Sequence, residues 1–186
     1  GIIICGLGGI LSAIQNDKFE KTVQGNLIGG NSYCFIETHF DEHGIVNFSL
    51  KCEGEYPMYD LIVLIRDKKA FGRLVKDLGL HDRQVSRDEW TQLQKGRDVI
   101  GEFLDVQRKS VIYQHEWRSL PPKALVMPIL RIKLPIDSIE QQYLAKIYAR
   151  NGTITQPIKL LKIDDKWEIS TRIQKYDDLE HKVKEV

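Results

Sequence analysis

The chain has 186 residues, 42% of them hydrophobic and 28% charged, with 27 basic against 26 acidic side chains and a formal net charge of +1. That size suits one globular domain plus a short membrane-anchoring piece, and the composition excludes both a disordered chain and an all-membrane protein. The basic residues are scattered and form no stripe with interleaved aromatics, which argues against nucleic-acid binding.

The opening run GIIICGLGGILSAI carries no charge. As a helix it covers about 21 Å at 1.5 Å per residue, short of the ~30 Å hydrocarbon core of a bilayer. It therefore reads as the exit end of a transmembrane helix that continues upstream and gives way to the polar run QNDKFEK. Asp17 and Glu20 offset Lys18 and Lys21, so flanking charge does not choose a side of the membrane. A competing reading makes IIIC a first strand and Gly6, Gly8 and Gly9 the turn of an NAD(P)-binding unit, with Glu37 on a ribose hydroxyl. Leu11 stands where the third glycine of that turn belongs, and Glu37 lies further from the glycines than the usual ~20 residues. A buried helix of the domain would need a polar face, which the run lacks. The membrane anchor is the reading the residues favour.

After the glycine-rich joint QGNLIGGN, SYCFIETHF and IVNFSLKCE alternate apolar and polar residues with the period of strands. A three-residue loop, Glu42-His43-Gly44, pairs Asp41 with Ile45 and sets Cys34 opposite Cys52, Ile36 opposite Leu50 and Phe40 opposite Val46 on one face. A two-residue loop would set apolar residues against polar ones, so the hydrophobic pattern selects the longer form. Cys5, Cys34 and Cys52 have no zinc-type spacing. Cys34 and Cys52 are expected as buried small hydrophobes in preference to a disulfide or a redox pair. Glu37, His39 and Asp41 share the opposite face, with His43 in the turn, a set that could hold a divalent metal. A solvated hairpin tip accounts for them more simply.

EGEYPMYD is a loop, and DLIVLIRD a central strand covered on both faces. KKAFGRLVKDLG has helical spacing and ends at Gly79, and Ser86 with Glu89 forms a capping box ahead of a second short helix, EWTQLQKG, ending near Gly96. VIGEFLDV, SVIYQHEW, ALVMPILRIKLP and QQYLAKIYAR read as strands. ARNGTI carries the Asn-Gly pair of a type I′ hairpin. In the following strand, ITQPIKLLKI, Pro157 is expected at an edge or bulge. Asp164-Asp165 is a turn before KWEISTRI, and QKYDDLEHKVKEV is a charged tail or short terminal helix. His115 reads as an isolated surface residue, and Trp117 and Trp167 as packing residues.

The sum is a mainly β chain: an antiparallel β-sandwich of immunoglobulin-like type with two short helices midway and an N-terminal apolar helix. Residues 1–24 form the anchor and its polar flank, 25–174 the β domain and 175–186 the tail. The nucleophile elbow, phosphate loop and H-E-x-x-H patterns are missing. No enzyme mechanism and no cofactor are therefore argued. A membrane-anchored interaction or sensory module for an unknown protein or small ligand is expected, with EGEYPMYD and QHEWRSLPPK as the binding loops.

The segments GNLIGGNSYCFIE, GEYPMYDLIVLIRD and IYARNGTITQPIKLLKIDDKWEISTRI together resemble a group of uncharacterised bacterial proteins. That resemblance implies one or more N-terminal transmembrane helices followed by an extracytoplasmic or cytoplasmic β-rich domain, here at the bacterial inner membrane. It spans most of residues 25–174, rests on turn and strand signals, and carries over no functional residue.

Overall fold

The computed structural model describes residues 29–41, 43–77, 99–177 and 182–185. The apolar opening run and the capping box at Ser86 lie outside them. The chain is mainly β, in two antiparallel sheets. β1 (Tyr33–Phe40), β2 (Ile45–Glu53) and β5 (Leu125–Lys133) form a three-stranded sheet in the order β1-β2-β5. β3 (Met58–Asp67), β4 (Val111–Leu120), β6 (Glu140–Ala149), β7 (Gly152–Ile163), β8 (Lys166–Thr171), β9 (Gln174–Asp177) and β10 (Lys182–Glu185) form the second. Its order is β10-β9-β7-β6-β3-β4, with β8 also on β7. Among the described residues, two helices, α1 (Lys68–Asp77) and α2 (Val99–Lys109), stand between β3 and β4.

The β1–β2 hairpin has the register its hydrophobic pattern selects: Cys34 pairs with Cys52, Ile36 with Leu50 and Phe40 with Val46. Asp41 N–H donates to Ile45 O at 2.9 Å, and Gly44 takes φ +70°, the left-handed conformation such a loop needs at its last residue. The two cysteines are not merely buried neighbours but a disulfide. Their Cα atoms are 4.0 Å apart, the close spacing of a non-hydrogen-bonded antiparallel pair, where facing side chains approach most nearly.

The same parity governs Ile36, two residues on. In a non-hydrogen-bonded pair the backbone N–H and C=O point away from the partner strand, so those of Ile36 face outward from β1. Gln156 of β7 satisfies both. Ile36 N–H donates to Gln156 Oε1 at 2.7 Å, and Gln156 Nε2 donates to Ile36 O at 2.8 Å and to Thr171 Oγ1 at 2.9 Å. Thr171 Oγ1 donates in turn to Pro157 O at 3.0 Å. Gln156 is fully buried, on the face of β7 that carries Ile154, Ile158 and Leu160. One side-chain amide thus serves as a strand partner for β1 and couples the sheets.

Elsewhere the two sheets meet through apolar groups. Phe48 of β2 stands edge-on to Tyr143 of β6 at 5.4 Å between centroids, and Phe40 of β1 stacks on Trp167 of β8 at 6.3 Å. Burial, reinforced by the Asp67 carboxylate, pushes the Tyr143 hydroxyl up to about 12. Leu61, Val63 and Ile65 of β3 complete the core with Ile147, Ile158 and Leu160.

Three local differences from the sequence reading have physical causes. VIGEFLDV is not a strand but the start of α2; its Val and Ile content suggests β structure, yet apolar residues at 99, 100, 103, 104 and 106 fit a helical face, and Val106 is buried. The hairpin after β6 turns at Arg150-Asn151, with Ala149 paired to Gly152. The positive φ falls on Gly152 alone, at +126°, so the turn is not type I′. Asn151 is instead directed inward, donating to Ser32 O at 2.6 Å and Gly30 O at 3.1 Å. The type I′ conformation belongs to Asp164 and Asp165, at φ 48° and 61°. Finally, the charged tail contributes β9 and β10, whose pairing with β7 and each other supplies what their composition does not. Pro157 faces Leu144 on one side and on the other falls between the end of the β9 pairing and the start of β8, where no ladder donor is needed.

Gln156→Leu keeps an apolar group of similar reach but leaves two buried backbone groups of Ile36 without partners. It is expected to lower unfolding stability in urea by about 2–4 kcal/mol. A loss under about 0.5 kcal/mol, the size of an ordinary surface change, would contradict the bridge.

Candidate functional site

The residues of the β1–β2 hairpin do not converge. Glu37 and His39 are exposed on the outer face of the three-stranded sheet, opposite Ser49 and Asn47. Asp41 is committed to the turn: its Oδ1 accepts from Ile45 N–H and His43 N–H, each at 2.9 Å, and its Oδ2 accepts from Arg131 at 3.0 Å. The Ile45 N–H, aided by His43 N–H and Arg131, holds this carboxyl below the usual range. Among the described residues, no three His, Cys, Asp or Glu side chains gather as metal ligands would. Gly6, Gly8 and Gly9 lie outside the described residues, and Glu37 sits within β1, not at a strand end.

The two segments expected as binding loops are brought side by side, but largely as strands. EGEYPMYD runs into β3 and QHEWRS is β4, with Met58 opposite Leu120, Tyr59 opposite Ser119 and Leu61 opposite Trp117. Asp60 interrupts this ladder in the left-handed region, at φ 52°. Its carboxylate accepts from Arg150 Nε at 3.0 Å, and that guanidinium lies 5.3 Å from the Tyr59 ring. A shallow cleft of about 390 Å³ is lined by Asp60, Ile62, Glu116, Trp117 and Arg118.

Among the described residues β4 ends its sheet, and its inward side chains are aromatic. Tyr113, His115 and Trp117 pair with the buried Ile65, Val63 and Leu61. The His115 ring lies 4.3 Å from Trp117 and 6.4 Å from Tyr113. Since β1 meets β7 and β2 meets β6, the next strand of the small sheet, β5, corresponds to β3, and β4 overhangs. That is why His115 is exposed on the core-facing side while Val63 beside it is fully buried. Partial burial still raises the Tyr113 hydroxyl above its ordinary range. The sequence reading treats His115 as isolated; the signal it passes over is the Tyr-x-His-x-Trp spacing, which puts three rings on one strand face.

The neighbouring free edge, β5, exposes half or more of Leu125 and Met127, at 50% and 59%. It is blunted by Pro128 and by a register shift opposite Phe48 and Leu50. β4 contains no proline, and its register shift is confined to the Arg66–Val111 end. Of these two edges, β4 is the less blunted.

No known family model, curated protein or solved structure matches the chain.

Because the folded state lowers the Asp41 pKa, its stabilising effect is present above the ordinary carboxylate range and fades as pH falls through it. Asp41→Asn should therefore be less stable than the parent at pH 7, and the difference should shrink at about pH 3, below the ordinary carboxylate value of ~3.9. A difference that stays constant between those pH values would contradict the assignment.

Proposed function

We propose that the chain is a membrane-anchored β-sandwich domain that recognises an extended segment of another protein along β4, with no catalysis of its own. The observation that carries this reading is the overhanging, partly exposed row Tyr113–His115–Trp117 on a strand that, among the described residues, ends its sheet. An edge offers main-chain hydrogen bonds to an incoming strand, and a row of rings offers pockets for alternate side chains. Aromatic residues on a rigid strand present large contact area at small entropic cost.

The sandwich description is supported by the ring contacts between the sheets and by the Gln156 bridge. Its three-and-seven division of strands differs from the four-and-three division of an immunoglobulin constant-type domain. Anchoring rests on the apolar run 1–14; among the described residues no helix is long and apolar enough to cross a membrane. The Cys34–Cys52 disulfide favours the oxidising, extracytoplasmic side of that membrane.

Two experiments separate the parts of this reading. The full chain should float with phospholipid vesicles, and Ile3→Asp combined with Ile10→Asp should abolish flotation; a parent chain left at the bottom of the gradient would refute the anchor. Peptides selected from a displayed library on the full chain should lose binding at least tenfold (about 1.4 kcal/mol) on Trp117→Ala. Selected peptides that bind Trp117→Ala as well as the parent would refute recognition along β4.

A further inference from the structure

On the face of β3 and β4 turned away from the aromatic row, α2 covers a cavity of about 320 Å³. Leu64, Leu104 and Val111 supply its apolar lining, and Arg66, Arg108, Gln107 and Gln114 its polar lining. Among the described residues, no carboxylate lines it. The Arg66 guanidinium has one hydrogen bond among the described residues, a long 3.5 Å contact from NH2 to Gln107 Oε1. Its Nε is buried with no partner among the described residues. Thr38 Oγ1 and Ser49 Oγ share that condition, but a hydroxyl left unpaired costs far less than part of a cation. Arg108, largely exposed, reaches only Asp105 at 3.9 Å.

The β3–β4 register shifts between Ile65 and Arg66, so the strand is re-aimed at the residue in question. A buried guanidinium edge with no acid, a second arginine and two amides beside it, and three aliphatic side chains below is the chemistry of a site for an organic anion. The volume lies at the small end of ligand pockets.

We infer that this cavity binds a small amphipathic carboxylate, its head group on the Arg66 guanidinium and its apolar chain on Leu64, Leu104 and Val111. Arg108 adds attraction at the mouth, and Gln107 and Gln114 hold the second carboxylate oxygen in place. A carboxylate fits better than inorganic phosphate because nearly half of the lining residues have nothing to offer a fully polar anion. The site is independent of peptide recognition along β4.

Titrating the full chain with hexanoate, while following the Arg66 Nε–H and the Gln107 and Gln114 side-chain amides by NMR, tests the inference. Saturable shifts of these signals are expected. Hexanol, inorganic phosphate and acetate should each bind at least tenfold more weakly, about the effect of removing one charge-assisted hydrogen bond. Arg66→Gln should lose hexanoate binding at least tenfold by the same reasoning. Leu104→Lys, on an exposed part of α2, should compete for the site with folding intact. Hexanol binding as tightly as hexanoate would overturn the inference, as would phosphate binding more tightly than hexanoate. No saturation by hexanoate, or full binding by a folded Leu104→Lys chain, would also overturn it.

Discussion

A single buried side-chain amide determines how the two sheets of this protein sit on one another. β1 has its neighbour β2 on one edge only, and at Ile36 its other edge presents an N–H and a C=O to the protein interior. Left dry and unpaired, each would cost about 1–3 kcal/mol. Gln156 meets both at 2.7 and 2.8 Å, and Thr171 and Pro157 extend the chain of hydrogen bonds into β8 and β7. The contact has directional as well as energetic consequences. A hydrophobic core tolerates sliding between layers more readily than a two-point hydrogen bond does, so this bridge fixes β1 against β7. With β1 so placed, β2 falls on β6, and β4 is left beyond the margin of the smaller sheet.

The uncovered margin gives β4 two different faces. Toward the core side it carries the rings of Tyr113, His115 and Trp117, and on the other side it lines, with α2, a cavity whose described residues include two arginines and no carboxylate. The strand therefore joins the edge proposed to receive a peptide backbone to the pocket proposed to receive a small anion. The disulfide is set in the other sheet, between β1 and β2, and closes a loop with a sequence separation of 18 residues. A cross-link of that span stabilises by about 3 kcal/mol in the chain-entropy account, which favours a module able to persist outside the reducing cytosol.

Much of the local structure is legible in the sequence because period-two alternation and turn chemistry are local signals. The β1–β2 register follows from which residues must share a face, and the position of Asp41 and Gly44 at its tip follows from the loop that this register demands. The same reasoning misplaces the next hairpin by one residue. Asn-Gly favours a type I′ turn in isolation, but Asn151 is drawn inward by the carbonyls of Gly30 and Ser32, more than a hundred residues away in sequence. Val99–Lys109 shows the complementary difficulty: β-branched residues bias a short segment toward a strand reading, while its placement against β3 and β4 makes it a helix. The pairing of the charged tail with β7 is likewise tertiary.

The site was less legible than the fold. Glu37, His39, Asp41 and His43 look like a cluster in sequence because they are close in sequence; in space Asp41 is occupied by its own turn and Arg131, and the histidines are separate and exposed. Arg66 carries no sequence signal at all, since its significance lies in the cavity lining that the fold assembles around it. Gln156 reads as one polar residue in a strand, and only the strand opposite gives it a role. The central claim can be tested directly by measuring hydrogen exchange at the Gln156 side-chain amide. If Gln156 bridges the sheets, its two protons exchange at least a thousandfold more slowly (about 4 kcal/mol of protection) than those of the exposed Gln114; exchange at the same rate as Gln114 would contradict the account.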